Sequence, residues 1–120
     1  MNKTQIIIAG IMGFLAVALG AFGAHGLKNI VTPDLLETYK TGVLYHLVHS
    51  VVLLTLALYG KTFNKSFWTI FTGVSLFSFS LYIYVITGFK FLVFVTPIGG
   101  VIMLVGWLLI IYEAMKQKSV

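Results

Sequence analysis

Four stretches of the chain, each sixteen to twenty-one residues long, contain no lysine, arginine, aspartate or glutamate; they cover residues 5–24, 41–59, 67–87 and 97–112. A helix needs about 20 apolar residues to cross the hydrocarbon core of a bilayer, at about 1.5 Å per residue. Membrane β-strands are shorter and alternate polar with apolar residues, which these runs do not. The runs therefore predict an all-α, integral membrane four-helix bundle, with residues 1–120 forming one transmembrane domain. The surface such a chain could offer to water is too poorly charged for a soluble domain. Only 9% of its residues are charged, against 59% hydrophobic, with a mean hydropathy of +1.03, whereas soluble domains carry about 25% charged residues.

The net charge of +5 comes from eight lysines against Asp34, Glu37 and Glu113. In a soluble protein that excess would suggest nucleic acid. Here the lysines lie in the breaks between apolar runs, where membrane topology and anionic headgroups account for them and nucleic acid does not. Four spans place both termini on one side. That side holds Lys3, Lys61, Lys65, Lys116 and Lys118; the other holds Lys28, Lys40 and Lys90. The bias predicts a multi-pass protein of the cell membrane with cytoplasmic termini. The first run follows Lys3 and ends in small residues, as a secretion signal does. It exceeds a signal's apolar core of about 7–15 residues, and it is expected to be kept as a span.

In the longest break, Thr32 can cap a helix, Pro33 suits its first position, and Asp34 and Glu37 sit near its positive end. A short interfacial helix over 33–40 is expected between the first two spans, bending at Gly42. Thr96–Pro97 repeats the same start signal and is expected to open the fourth span.

Apolar burial gives little between helices in lipid, so small residues mark the faces that approach closely. Ala9 and Gly13 form one such pair, and Ala16, Gly20 and Ala24 another series four residues apart. Ala16, Gly20, Gly23 and Ala24 are expected to press against the second span, with Gly99 and Gly100 packing at the start of the fourth. Gly26 is expected to stop the first helix, with His25 near its negative end. Trp107, Tyr112, Lys116 and Lys118 are read as an interfacial anchor.

The polar residues inside the spans draw a second pattern. In YHLVHS, His46, His49 and Ser50 share a helix face. At this depth a histidine should face protein or a water-filled cavity, and His25 ends the first span on the same side. Thr72, Ser75, Ser78 and Tyr82 follow helical spacing in the third span, either as partners for the histidines or bonded to their own backbone. The candidate polar cluster is His25, His46, His49, Ser50, Ser75, Ser78 and Tyr82.

GAFGAHGL at 20–27, with a tyrosine-rich helix start and TPIGG followed by Gly106–Trp107, resembles the YwdK-like family of small four-span membrane proteins of unknown function, which has short animal relatives. The resemblance covers nearly the whole chain. It implies a four-helix membrane protein and supplies no activity. His49 matches the family's second-span histidine best. The family's FSGSLY reads FSFSLY here, and Phe79 in place of glycine implies looser packing at that point.

Three functions stay open. The chain is a structural or accessory membrane subunit that binds itself or other membrane subunits; or an oligomeric channel or transporter for a small solute, lined by the His/Ser/Tyr stripe; or it holds a metal, haem or quinone on its histidines. There is no phosphate-binding glycine loop, no paired carboxylates and no nucleophile with a matched base. No cysteine is present. The sequence thus assigns no catalytic residue, no metal and no cofactor, and the expected partners are the lipid bilayer and other membrane chains.

Overall fold

A computed structural model describes residues 1–118. Four long helices, α1 (Lys3–His25), α2 (Pro33–Leu58), α3 (Asn64–Thr87) and α4 (Leu92–Met115), account for most of them, with one 3-10 turn at Leu27–Asn29. Each helix is long and apolar enough to cross a membrane. In hydrocarbon every backbone N–H and C=O needs a partner, and a helix supplies them within one segment.

The helices pack in chain order: α1 on α2, α2 on α3, and α3 most extensively on α4. More of α2 and α3 is buried than of α1 and α4, so α2 and α3 form the central pair. The outer faces of the flanking helices leave side chains such as Phe14 and Leu104 to the lipid. Inside, one apolar cluster joins Ala9, Met12, Leu53, Phe67, Ile70 and Met103. A second, towards the other end, joins Leu27, Tyr39, Tyr82 and Val85.

Several helix boundaries differ from those expected. Thr32 does cap a helix, its hydroxyl accepting from Leu35 N at 3.3 Å. That helix is α2 itself: residues 33–40 are its first turns, not a separate interfacial helix, and it does not break at Gly42. Gly42 serves close contact with α3, since a Cβ there would lie 2.9 Å from Tyr82 Cε1. Thr96–Pro97 does not open α4, which starts at Leu92. Proline removes one N–H, and extending the helix upstream satisfies the backbone of five further residues that would otherwise enter lipid unpaired. Thr96 adds a side-chain bond to the Leu92 carbonyl at 3.2 Å. Gly26 does end α1 as its C-cap, though in a right-handed conformation: its φ is −83°, and that path carries Leu27 into the core. The left-handed cap is at Gly88 after α3, φ +73°, with its N–H on the Tyr84 carbonyl at 2.8 Å.

The small-residue faces set the spacing. Ala16 and Gly23 are buried against α2. A Cβ on Gly23 would lie 2.5 Å from Tyr39 Cε1, and one on Gly20 would lie 3.2 Å from Val43 Cγ1. Ala24 is exposed at the margin of this contact. Between α3 and α4 the approach is backbone on backbone: a Cβ on Gly73 would lie 2.6 Å from Met103 N, and one on Gly99 would collide with Phe77 N. Gly106, seven residues after Gly99, meets Ile70, while Gly100 has ordinary contact with the Phe77 ring.

Candidate functional site

The polar side chains of α2 and α3 face each other across the central helix pair. His46 is fully buried, and its Nδ1 lies 2.9 Å from the Tyr82 hydroxyl. Its Nε2 has no hydrogen-bond partner among the described residues. Ser78 Oγ donates across the helix pair to the Gly42 carbonyl at 2.8 Å. Ser50 Oγ donates within α2 to the His46 carbonyl at 2.7 Å. Tyr39 OH donates to the Leu19 carbonyl at 2.5 Å and so ties α2 to α1. Apart from His46 Nε2, these buried groups are partnered, as groups away from water generally are. Phe79 leans on the His46 ring at 5.3 Å and on Tyr82 at 5.5 Å. Its ring fills space beside the histidine and joins both apolar clusters.

His49 stands one turn further along α2 and points to α4. Its Nδ1 donates to the Tyr45 carbonyl at 2.8 Å, and its Nε2 accepts from Trp107 Nε1 at 3.1 Å. One donor and one acceptor fit the neutral ring carrying its proton on Nδ1. Trp107 thus ties α4 to α2. It lies about 12 Å in from the Met115 end of α4, and its indole N–H is used inside the protein. Lys116 Nζ lies 5.3 Å from the Tyr112 ring. Tyr45, His49, Phe77, Val101, Leu104 and Trp107 line a groove of about 430 Å³ between α2 and α4.

The three histidines do not gather. His25 is exposed at the end of α1, its Nδ1 donating to its own helix at the Ala21 carbonyl, 3.0 Å away. His46 points to α3 and His49 to α4, so neighbouring positions on one helix serve different partners. Among the described residues no three His, Cys, Asp or Glu side chains could hold a metal. Ser75 is half-buried and enters none of the hydrogen bonds of this seam. Thr72 bonds its own backbone at the Trp68 carbonyl, 2.8 Å away.

At the opposite end of the bundle lies a polar group that the sequence reading passed over. Gln5 is almost fully buried, and its Nε2 donates to Asn64 Oδ1 at 2.8 Å, joining α1 to α3. Glu113, just beyond the fourth uncharged run, is buried in the last turn of α4. Its Oε1 accepts from Ser66 N at 2.9 Å and from Ser66 Oγ at 2.5 Å. The signal was present in the spacing: residue 113 continues the α4 face of Gly99, Met103 and Gly106 that is buried against α3.

A model of the family described as "Protein of unknown function (DUF423)" matches residues 19–100, from the last turns of α1 into the start of α4. The chain belongs to the DUF423 family. The UPF0382 membrane protein YwdK of Bacillus subtilis is 38% identical to this DUF423 chain over 120 residues, covering 95% of it and 98% of YwdK. A UPF0382 membrane protein of Haemophilus influenzae is 38% identical over 125 residues, covering 99% of each chain. SAB0533 of Staphylococcus aureus, also a UPF0382 membrane protein, is 37% identical over 118 residues, covering 95% of this chain and 97% of its own. No solved structure matches the chain. Four apolar helices and relatives named as membrane proteins make this DUF423 chain an integral membrane protein.

Proposed function

We propose that the protein is a structural or accessory subunit of the cell membrane that acts through its outer surfaces, binding copies of itself or other membrane proteins, with both termini in the cytoplasm and no catalysis of its own. The observation that carries this reading is the burial of His46 against the Tyr82 hydroxyl. The imidazoles of His46 and His49 and the hydroxyls of Tyr39, Ser78 and Tyr82, which could have lined a solute path, are engaged in bonds that link neighbouring helices. A protein whose interior polar groups are used in this way meets other molecules at its surface. The lysine excess at the end carrying the termini supports the orientation. Cross-linking in native membranes, followed by mass measurement in lipid nanodiscs, tests the proposal. An oligomer or a reproducible membrane partner is expected. A chain that stays monomeric and captures nothing would overturn it, as would solute flux in proteoliposomes that His49→Ala abolishes.

A further inference from the structure

The two ends of the bundle treat their charges differently. At the end formed by the starts of α2 and α4, Lys40 Nζ is 3.5 Å from Glu37 Oε1, the one ion pair among the described residues. The other end carries Lys3, Lys61, Lys65, Lys116 and Lys118, all exposed. Hydrogen bonds from Asn2 to Ala57, Gln5 to Asn64 and Ser66 to Glu113 bring the segments bearing these lysines to that one end. Glu113 is the one acidic side chain there, and it is turned inward onto Ser66. The five lysines at this end therefore share one carboxylate among the described residues, and none of them forms an ion pair with it. Between the start of α3 and the end of α4 lies a small polar cleft of about 80 Å³, lined by Thr62, Lys65, Tyr112, Glu113, Lys116 and Gln117. That is room for several waters or one phosphate-sized group. The cleft sits at the ends of apolar helices, the level at which phospholipid headgroups lie.

We propose that this cleft holds the phosphate of an anionic phospholipid, with Lys65 and Lys116 as its cationic walls and Thr62 and Gln117 as hydrogen-bond donors. The Glu113 carboxylate lines the same cleft. Its Oε1 is occupied by two bonds from Ser66, which directs that charge to the α3 backbone. Lysines near a membrane surface each favour anionic lipid; two that line one polar cleft turn a diffuse preference into a site.

The test is native mass spectrometry of the protein released from nanodiscs of mixed phosphatidylglycerol and phosphatidylcholine. The wild-type chain is expected to retain one phosphatidylglycerol in preference to phosphatidylcholine. K65Q/K116Q is expected to reduce that retention at least tenfold, and K3Q/K118Q to change it less than threefold. These are exposed surface positions, and unchanged far-ultraviolet circular dichroism verifies that each variant is folded. Equal loss in both double variants would overturn the proposal in favour of diffuse attraction. Absence of any preference in the wild-type chain would overturn it too. So would inorganic phosphate displacing phosphatidylglycerol at millimolar concentration, since that marks a site for the free anion.

Discussion

Glu113 on α4 caps the first turn of α3 in place of a local residue, accepting from both the backbone N–H and the hydroxyl of Ser66. The residue at the N-cap position of α3 is Phe63, whose side chain makes no capping bond. A carboxylate suits that position because the first turn of a helix carries unsatisfied N–H groups and a partial positive charge. The same contact fixes the end of α4 against the start of α3.

Glu113→Ala leaves two buried donors on Ser66 without an acceptor. Losing the partner of a buried polar group costs about 1–3 kcal/mol, and a loss in that range is expected. Glu113→Gln keeps one acceptor oxygen and should lose less. Reversible unfolding in mixed detergent micelles, followed by circular dichroism, measures both. Equal stability of all three proteins would mean that the cap contributes nothing.

Gly73 and Gly99 let the backbones of α3 and α4 touch, and no side chain can yield there to make room. Gly73→Ala or Gly99→Ala should each destabilise by about 1–3 kcal/mol through overpacking. Gly10 supplies the control. A Cβ there meets nothing within 4 Å, so Gly10→Ala should gain up to about 1 kcal/mol from helix propensity. The contrast between the substitutions, read in the same unfolding assay, is the result that matters. Similar effects at all three positions would contradict the close approach.

The helices were legible in the sequence because each contains a long uncharged run with lysines or turn residues beyond its ends. The close contacts were partly legible: Ala16, Gly20 and Gly99 stand where small residues were expected to meet a neighbour. Helix starts were misjudged where a start signal has two uses. Thr96–Pro97 resembles Thr32–Pro33, yet proline inside α4 costs one backbone bond while ending the helix there would expose many. Trp107 looked like an anchor because tryptophan favours interfaces, and only the facing position of His49 gives its N–H a partner at depth. Glu113 was hidden by its place at the end of an apolar run. A charge there reads as solvated until the neighbouring helix start is seen to need an acceptor.

His46 and Tyr82 should prove energetically coupled. Tyr82→Phe leaves the His46 Nδ1 without its hydroxyl, and His46→Ala removes the ring altogether. Once the histidine is gone, the loss of the hydroxyl should cost less. Residues in direct contact show coupling of about 0.5–3 kcal/mol in a double-mutant cycle, and a value in that range is expected. Additive losses would show that the 2.9 Å contact does not hold the helices together.

The two tryptophans report different depths in the bilayer. Trp68 is on the second turn of α3, about 6 Å from its start, while Trp107 is about 12 Å from the end of α4. These helix ends lie together, since Ser66 bonds Glu113 there. Both indoles reach the lipid face, at 40% and 43% exposure, so quencher access does not distinguish them and depth does. In a Trp68→Phe protein, bromines placed deep in the acyl chains should quench Trp107 more strongly than bromines near the headgroup. In a Trp107→Phe protein the order should reverse for Trp68. His49→Ala should leave the depth profile of Trp107 in place while altering its emission, because the indole loses its acceptor without moving its helix. If shallow bromines quenched Trp107 best, the indole would sit at the interface after all, and the His49 bond could not be made within the bilayer.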